Sequence, residues 1–200
     1  MKRFLTALLA LVLLMTSSLA LSEDYAYTIG HYGGFTGAVA TAGSNGRDAI
    51  LLAIKPWNEK GGVLGGKIGI ELYDDGSTTE GAVKGVSYLL DQVGVDGLIG
   101  SQLSGNIQAT GDLVEAYQIP EVATGMNPAW LQKGWTYLFR ALPNSAGGAT
   151  PLVDAMLELK SDKVASLVYQ DDGNISAYTK VKEEIEARDG VEIIDEQQAM

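Results

Sequence analysis

The chain has 200 residues, with 14 basic and 25 acidic side chains and a net charge of −11 at pH 7. Such an acidic balance argues against nucleic acid as a partner. Cysteine is absent, so neither a disulfide nor a lipid-modified cysteine can hold this protein. A hydrophobic content of 46% with 25 glycines is typical of a loop-rich globular α/β protein.

The first twenty residues have the order of a secretory signal peptide. Lys2 and Arg3 precede an apolar run at residues 4–15, and the small-x-small sequence at 18–20 fits the rule for signal peptidase. The run is shorter than the roughly 20 residues that a membrane-spanning helix needs, which favours cleavage over a retained anchor. We therefore predict a signal peptide at 1–20, cleavage before Leu21 with Ser22 as a second possible cut site, and a soluble protein in the periplasm.

From Tyr27 onwards, short aliphatic runs alternate with longer stretches that place apolar residues three and four positions apart. The runs predict strands at Tyr27–Tyr32, Ile68–Tyr73, Val95–Gly100, Ile119–Ala123, Val164–Tyr169 and Val191–Asp195. The longer stretches predict helices at Gly46–Asn58, Thr79–Val93, Ser104–Tyr117, Ala149–Leu159 and Ser176–Arg188. Pro56 falls inside the first of these helices, which is expected to bend or stop there. Strict rotation of strand and helix predicts an α/β fold with a doubly wound parallel sheet.

A composition break at residues 143–148, Pro-Asn-Ser-Ala-Gly-Gly, divides the predicted elements. Residues 21–142 hold enough strands and helices for a first α/β lobe. Residues 143–200 hold two strands and two helices, which are too few for a stable lobe. We therefore predict that 143–200 begin a second, similar lobe that is incomplete here, with a hinge near Leu142 to Gly148.

Three features of the sequence resemble parts of cofactor-binding or catalytic sites, but none has the spacing or the partner residues that such a site needs. Gly33–Gly37 lacks both the G-x-G-x-x-G pattern and the G-K-[ST] ending of nucleotide-binding loops. His31 is the only histidine and has no cysteine with which to share a metal, so we interpret it as structural. Gly100–Gly105 does not match the G-x-S-x-G nucleophile motif, which makes a secreted serine hydrolase a remote alternative. We expect no cofactor, no metal and no catalysis.

Polar residues at the predicted carboxyl ends of strands form the candidate ligand site, where doubly wound sheets bind their ligands. Ser104 begins the third helix, where its hydroxyl and the free amides can accept a carboxylate, unless it is a plain N-cap. The loop Thr124-Gly125-Met126 follows the next strand at the same edge of the sheet. Asp172, in the second lobe, faces the site across a cleft or belongs to an acid-capped turn. Gln102 adds a polar side chain beside Ser104.

Several motifs occur in the order and spacing of one known family. They are Ile29-Gly30 with Phe35-Thr36-Gly37, the turn Trp57–Lys67, which looks like the pattern N-x-x-G-G-I-x-G-x-K with Val63 in place of isoleucine, Asp74-Asp75, Ile99-Gly100 followed by Ser104, Ile119-Pro120 with Ala123–Pro128, and Phe139-Arg140. From about Tyr27 to its C-terminus the chain resembles the leucine/isoleucine/valine-binding proteins of bacterial ABC transporters, which are type I periplasmic binding proteins. That family is roughly twice as long, so the resemblance implies a C-terminally truncated member.

The resemblance implies the substrate-binding component of an ABC transporter. Its two lobes would close on an amino acid of the branched-chain type, or on a related small molecule, and present the closed form to a membrane permease. It also implies that Ser104 and the Thr124–Met126 loop hold the α-carboxylate and α-ammonium. Asp172 stands where relatives often carry an aromatic residue. An amide- or urea-type receptor, or a sensory domain of the same fold, is therefore the alternative, and the polar Gln102 and Asp172 favour it.

Overall fold

The computed structural model describes residues 25–199, and the predicted signal peptide at 1–20 lies outside this range. Within the range, the strands form two parallel sheets. The strands are β1 (Tyr27–Gly33), β2 (Ile68–Asp74), β3 (Gly97–Ile99), β4 (Glu121–Ala123), β5 (Leu138–Arg140), β6 (Lys163–Tyr169) and β7 (Glu192–Ala199). The helices are α1 (Ala40–Glu59), α2 (Thr79–Tyr88), α3 (Ser104–Tyr117), α4 (Ala149–Glu158) and α5 (Asp172–Glu186).

The first sheet has the strand order β2-β1-β3-β4-β5, and every neighbouring pair is parallel. The crossover from β1 to β2 runs along the sheet in the opposite direction to the crossovers that lead to β4 and β5. Because crossovers are right-handed, α1 covers one face, while α2 and α3 contact each other on the other face. This arrangement confirms the predicted α/β doubly wound parallel sheet.

The core of the first unit lies between the sheet and the layer of α2 and α3. Its largest wholly buried apolar side chains are Tyr32, Val86, Leu89, Ile107, Val114 and Trp130. Each such side chain contributes about 1.5–3 kcal/mol when fully buried. On the opposite face α1 is mostly exposed, with Leu52 at 72% and Trp57 at 57% of their full accessibility. The layer of α2 and α3 therefore covers its face of the sheet more completely than α1 covers the other face.

The first helix is longer than predicted at both ends. It begins at Ala40, and a side chain at Gly43 would place a Cβ 2.0 Å from the carbonyl oxygen of Gly34, so only glycine permits this close approach. It continues through Pro56 to Glu59, so the helix does not stop at the proline. Pro56 lies in the last turn, where its missing N–H removes only one backbone hydrogen bond.

The fifth strand was not predicted, and a chain segment at residues 141–148 follows it. A short 3₁₀ helix at Ser145–Gly148 leads into α4. The second unit then consists of α4, β6, α5 and β7, with β6 and β7 paired in parallel and the two helices in contact. Leu167 of β6 is 75% exposed, so the small sheet is poorly covered within the described residues. The domain division at residue 143 stays a prediction.

Candidate functional site

The strand order of the first sheet reverses between β1 and β3. The loops that leave the carboxyl ends of these two strands diverge, which opens the crevice in which doubly wound proteins bind ligands. A cavity of ≈ 290 Å³ lies at this edge, and both units contribute to its wall. Its lining includes Val39, Ser77, Thr79, Leu103, Ser104 and Asn106 from the first unit, and Tyr169, Gln170, Asp171 and Asp172 from the second.

Ser104 is the first residue of α3 and lines this cavity. The N-cap position belongs to Leu103, whose side chain cannot cap the helix, so Ser104 is not a plain N-cap. Its hydroxyl oxygen accepts a hydrogen bond from the backbone N–H of Asn127 at 3.1 Å. The hydroxyl proton remains available for a ligand, beside the amides of a helix N-terminus that carries partial positive charge.

The loop Thr124–Met126 packs behind Ser104 rather than lining the cavity. A Cβ at Gly125 would lie 2.9 Å from the Ser104 Oγ and 2.4 Å from the Ile107 Cδ1, so the glycine allows the loop to approach α3 closely. The indole Nε1 of Trp130 donates to the Gly125 carbonyl at 3.0 Å and fixes the loop from below. Thr124 is half-buried, and the side chain of Met126 is 42% exposed beside residues 142–148.

Asp171 and Asp172 have different tasks at the start of α5. Asp171 is the N-cap, and its Oδ1 accepts from the backbone N–H groups of Gly173 at 2.8 Å and Asn174 at 2.9 Å. Asp172 points across the cleft, where its Oδ2 accepts from the Gln108 side chain of α3 at 3.1 Å. Of the two roles that the sequence left open for Asp172, the capping of the turn belongs to its neighbour Asp171, and Asp172 contacts α3 across the cleft.

The two units meet closely at this point. The Asn127 side chain donates to the backbone carbonyl of Asp172 at 3.1 Å. A Cβ at Gly173 would lie 3.8 Å from the Ser104 Oγ, so the N-termini of α3 and α5 face each other across a narrow gap. A ligand bound in this gap would contact both units at once.

A buried polar pair that sequence reasoning missed holds the first turn of α3. Asp75 follows β2 and is only 2% exposed, and Asn106 of α3 is equally buried. The Asn106 side chain donates to the Asp75 Oδ2 at 2.9 Å, and the Ser77 N–H donates to Oδ1 at 2.8 Å. Burial raises the pKa of Asp75, although these two hydrogen bonds oppose the rise.

The preceding carboxylate, Asp74, organises the loop after β1. Its Oδ1 accepts from the backbone N–H groups of Phe35, Thr36 and Gly76, and its Oδ2 accepts from the Thr36 hydroxyl at 2.8 Å. Desolvation alone would raise the pKa of Asp74, but these donors outweigh it and hold the pKa below its usual range. The Asp74-Asp75 motif in the sequence was the available signal for both residues.

Beneath the site lies a second buried network, which the sequence did not predict. The Tyr32 hydroxyl donates to the Glu121 Oε1 at 2.7 Å and lies 3.0 Å from the Thr110 hydroxyl of α3. Gly100 makes room for the carboxyl group, because a Cβ there would lie 1.9 Å from Oε1. Burial raises the pKa of Glu121 to about 7, while the hydrogen bond from Tyr32 lowers it.

Gln102 and His31 lie away from the cavity lining. The Gln102 amide nitrogen is 3.3 Å from the position of a Cβ at Gly43, on the α1 side of the sheet. His31 is 4% exposed, and its Nδ1 donates to the Ile99 carbonyl at 2.9 Å. Burial lowers its pKa, and the hydrogen bond to Ile99 opposes this. Among residues 25–199, no group of acidic, histidine or cysteine side chains could hold a metal ion.

Comparison with known proteins identifies relatives of the whole described chain. The family model described as periplasmic binding protein matches residues 26–199. The leucine-specific-binding proteins of Salmonella typhimurium and Salmonella typhi are each 30% identical to this chain over 163 residues, which are 80% of this chain and 43% of each relative. The chain therefore spans less than half the length of these curated relatives. No helix within residues 25–199 has the length and apolar character to span a membrane.

Solved structures share the fold. A solute-binding protein of an ABC transporter from Rhodopseudomonas palustris, in complex with 3,4-dihydroxybenzoic acid, has a TM-score of 0.77 at 23% identity, covering 86% of this chain and 47% of that chain. A branched-chain amino acid transporter substrate-binding protein from Streptococcus pneumoniae, in complex with isoleucine, has a TM-score of 0.77 at 22% identity, covering 87% and 49%. A fatty acid ABC transporter substrate-binding protein from Thermomonospora curvata has a TM-score of 0.76 at 21% identity, covering 88% and 45%.

Proposed function

Because the chain belongs to the periplasmic binding protein family, we propose that it captures a small carboxylate-bearing molecule outside the cytoplasm for an ABC transporter. An amino acid, of the branched-chain type or related to it, is the ligand class that the relatives favour, since the 30% identical relatives are named for leucine. Capture is reversible and needs no covalent step. The two lobes close on the ligand and present the closed form to a membrane permease.

The observation that carries this proposal is the position of Ser104 in a cavity between two units. Its hydroxyl can donate to a ligand carboxylate while its oxygen stays bonded to Asn127. The adjacent helix N-terminus attracts the same negative charge. The ligands named for the three similar structures, 3,4-dihydroxybenzoic acid, isoleucine and a fatty acid, all carry a carboxyl group. A carboxylate at α3 is therefore the feature that we assign to this site.

A hydrolytic role is a weaker proposal for the same residues. A serine nucleophile needs a base within hydrogen-bond distance. His31, the only histidine of the chain, is engaged with the Ile99 carbonyl, and the Ser104 oxygen is occupied by Asn127. Export to the periplasm, with removal of residues 1–20, belongs to the proposed function because the signal-like sequence supports it.

Titration calorimetry of the protein encoded by the full reading frame tests this function. The ligands are leucine, isoleucine, glutamate, acetamide and urea. The variants are Ser104→Ala and, as a matched control, Ser161→Ala, which removes a hydroxyl between α4 and β6, outside the cavity lining. We expect saturable binding of at least one carboxylate ligand. Ser104→Ala should weaken it roughly tenfold or more, since a hydrogen bond to a charged group contributes about 1.5–3 kcal/mol.

The control should bind as the wild type does. Binding of acetamide or urea without any carboxylate would favour the amide- or urea-type receptor. A folded protein that binds none of these ligands would contradict the proposed function. Hydrolysis of a ligand by wild type that Ser104→Ala abolishes would favour the hydrolytic role instead.

A further inference from the structure

We propose that Asp172 makes this cleft select ligands that carry a positively charged nitrogen in addition to the groups held at α3, in preference to ligands with a hydrocarbon side chain of the same length. The inference rests on the proposed function, because it names the ligand class of the same cleft. It goes beyond the relatives, whose names point to leucine and isoleucine as ligands.

The lining of the cleft is rich in hydrogen-bonding groups and poor in hydrocarbon. Serine, threonine, asparagine, glutamine and aspartate supply most of its side chains, and Val39, Leu103 and Tyr169 are the larger apolar ones. A leucine or isoleucine side chain gains affinity by leaving water for an apolar surface. This lining offers little such surface, so a hydrocarbon tail gains little here.

The lining is also unbalanced in charge. Asp171 and Asp172 are acidic, and no lysine, arginine or histidine is among the lining residues of the described chain. Asp171 is fully engaged, because its carboxylate caps α5 and also contacts the Asn174 side chain. Asp172 therefore carries the negative charge that is available to a ligand.

The side chain of Asp172 is placed to contact a cationic group of a ligand. Gln108 occupies only Oδ2, and no donor within residues 25–199 reaches Oδ1. The same oxygen, Oδ2, would lie 3.2 Å from a Cβ at Gly105, which puts the carboxylate against the first turn of α3. A ligand whose carboxylate meets Ser104 can therefore bring a cationic nitrogen to Asp172 within the length of a short side chain.

A second observation marks the opposite end of the ligand. Ser104 is 4% exposed and lines the cavity, and no acceptor for its hydroxyl proton lies within hydrogen-bond distance among residues 25–199. A hydroxyl oxygen that accepts one hydrogen bond can still donate its proton to a bound group. The cleft thus presents a donor at α3 and a carboxylate at α5, which is the complement of a ligand with a carboxylate at one end and a cationic nitrogen on its side chain.

Matched ligand pairs test the proposal on the protein encoded by the full reading frame. Each pair has the same carbon chain and differs by one terminal ammonium: 2-aminobutyrate with 2,4-diaminobutyrate, norvaline with ornithine, and norleucine with lysine. Titration calorimetry at low salt compares wild type with Asp172→Asn, which removes the charge, and Asp172→Glu, which keeps it. Asp189→Asn changes an exposed acid outside the cleft lining and is the charge-matched control.

We expect wild type to prefer at least one diamino acid over its partner by about two- to fivefold, the size of effect that an exposed ion pair supports. Asp172→Asn should reduce that preference to near one, whereas Asp172→Glu and Asp189→Asn should retain most of it. Equal or tighter binding of the hydrocarbon partners by wild type, or a preference that Asp172→Asn leaves unchanged, would overturn the proposal. If the protein binds no ligand of either series and no other carboxylate, the result would contradict the proposed function itself.

Discussion

Replacing Glu121 by glutamine tests whether the acid beneath the cleft is neutral in the folded protein. Glu121 has no exposed surface, its Oε1 accepts from the Tyr32 hydroxyl, and its Oε2 has no hydrogen-bond partner within the described residues. A charged carboxylate in such surroundings is costly, which is why burial raises its pKa to about 7. Glutamine has nearly the same shape and stays neutral at every pH.

The raised pKa means that the contribution of Glu121 to stability falls as the pH rises. Below its ordinary pKa of 4.5 the group is protonated in both folded and unfolded chains, and its contribution is fully present. Between 4.5 and about 7 the unfolded chain releases the proton while the folded chain keeps it, which favours unfolding. Above about 7 the loss is complete, and its full size is about 3 kcal/mol.

Urea unfolding at several values between about pH 5 and 8.5 measures this difference. We expect the free energy of unfolding of wild type to fall by about 2–3 kcal/mol more than that of Glu121→Gln over this range. The lowered pKa of His31 acts in the opposite direction at the acidic end, but it is common to both proteins and cancels. Glu158→Gln, at an exposed position that ends α4, should keep the wild-type profile. If the free energies of unfolding of wild type and Glu121→Gln change equally with pH, Glu121 is not neutral in the folded protein.

Two further substitutions test the geometry around the cleft. Gly125→Ala should weaken ligand binding at least tenfold and lower stability by about 1–3 kcal/mol, because the added methyl group would collide with Ile107 and displace Ser104. Gly148→Ala, where a Cβ meets nothing within 4 Å, is its control in calorimetry and thermal unfolding. Asp74→Asn should speed amide exchange in the loop after β1. Since the pKa of Asp74 is lowered, its stabilising contribution is present at neutral pH and lost on acidification, so the variant should lose less stability than wild type below about pH 4.

The sequence predicted the architecture well where the signal is local and periodic. Aliphatic runs followed by stretches with three- and four-residue spacing placed most of the first sheet and its helices, and the rule that ligands bind at the carboxyl edge of a parallel sheet indicated Ser104, which lines the cavity. The three-residue strand β5 gave no such signal, since a run that short has no measurable period.

The polar networks could not be predicted, because they join residues that are distant in sequence. Asn106 meets Asp75 across 31 positions, and Glu121 meets Tyr32 across 89. Nothing local indicates that an acid beside Pro120 is wholly buried, or that Gln102 lies near Gly43 rather than in the cavity lining. Such contacts depend on how helices pack on the sheet, which the pattern of apolar residues specifies only coarsely.

The charge selection proposed for the cleft follows from the meeting of two helix N-termini. Both α3 and α5 begin at the cleft, and each presents partial positive charge to the other. The carboxylate of Asp172 lies between them and offsets this repulsion, with Gln108 holding it. A plain amino acid brings its own carboxylate and ammonium and leaves the free oxygen of Asp172 without a cation, whereas a ligand with a second ammonium on its side chain supplies one. Because salt screens exposed charges, this preference should shrink as ionic strength rises, while the contribution of the Ser104 hydrogen bond should change less.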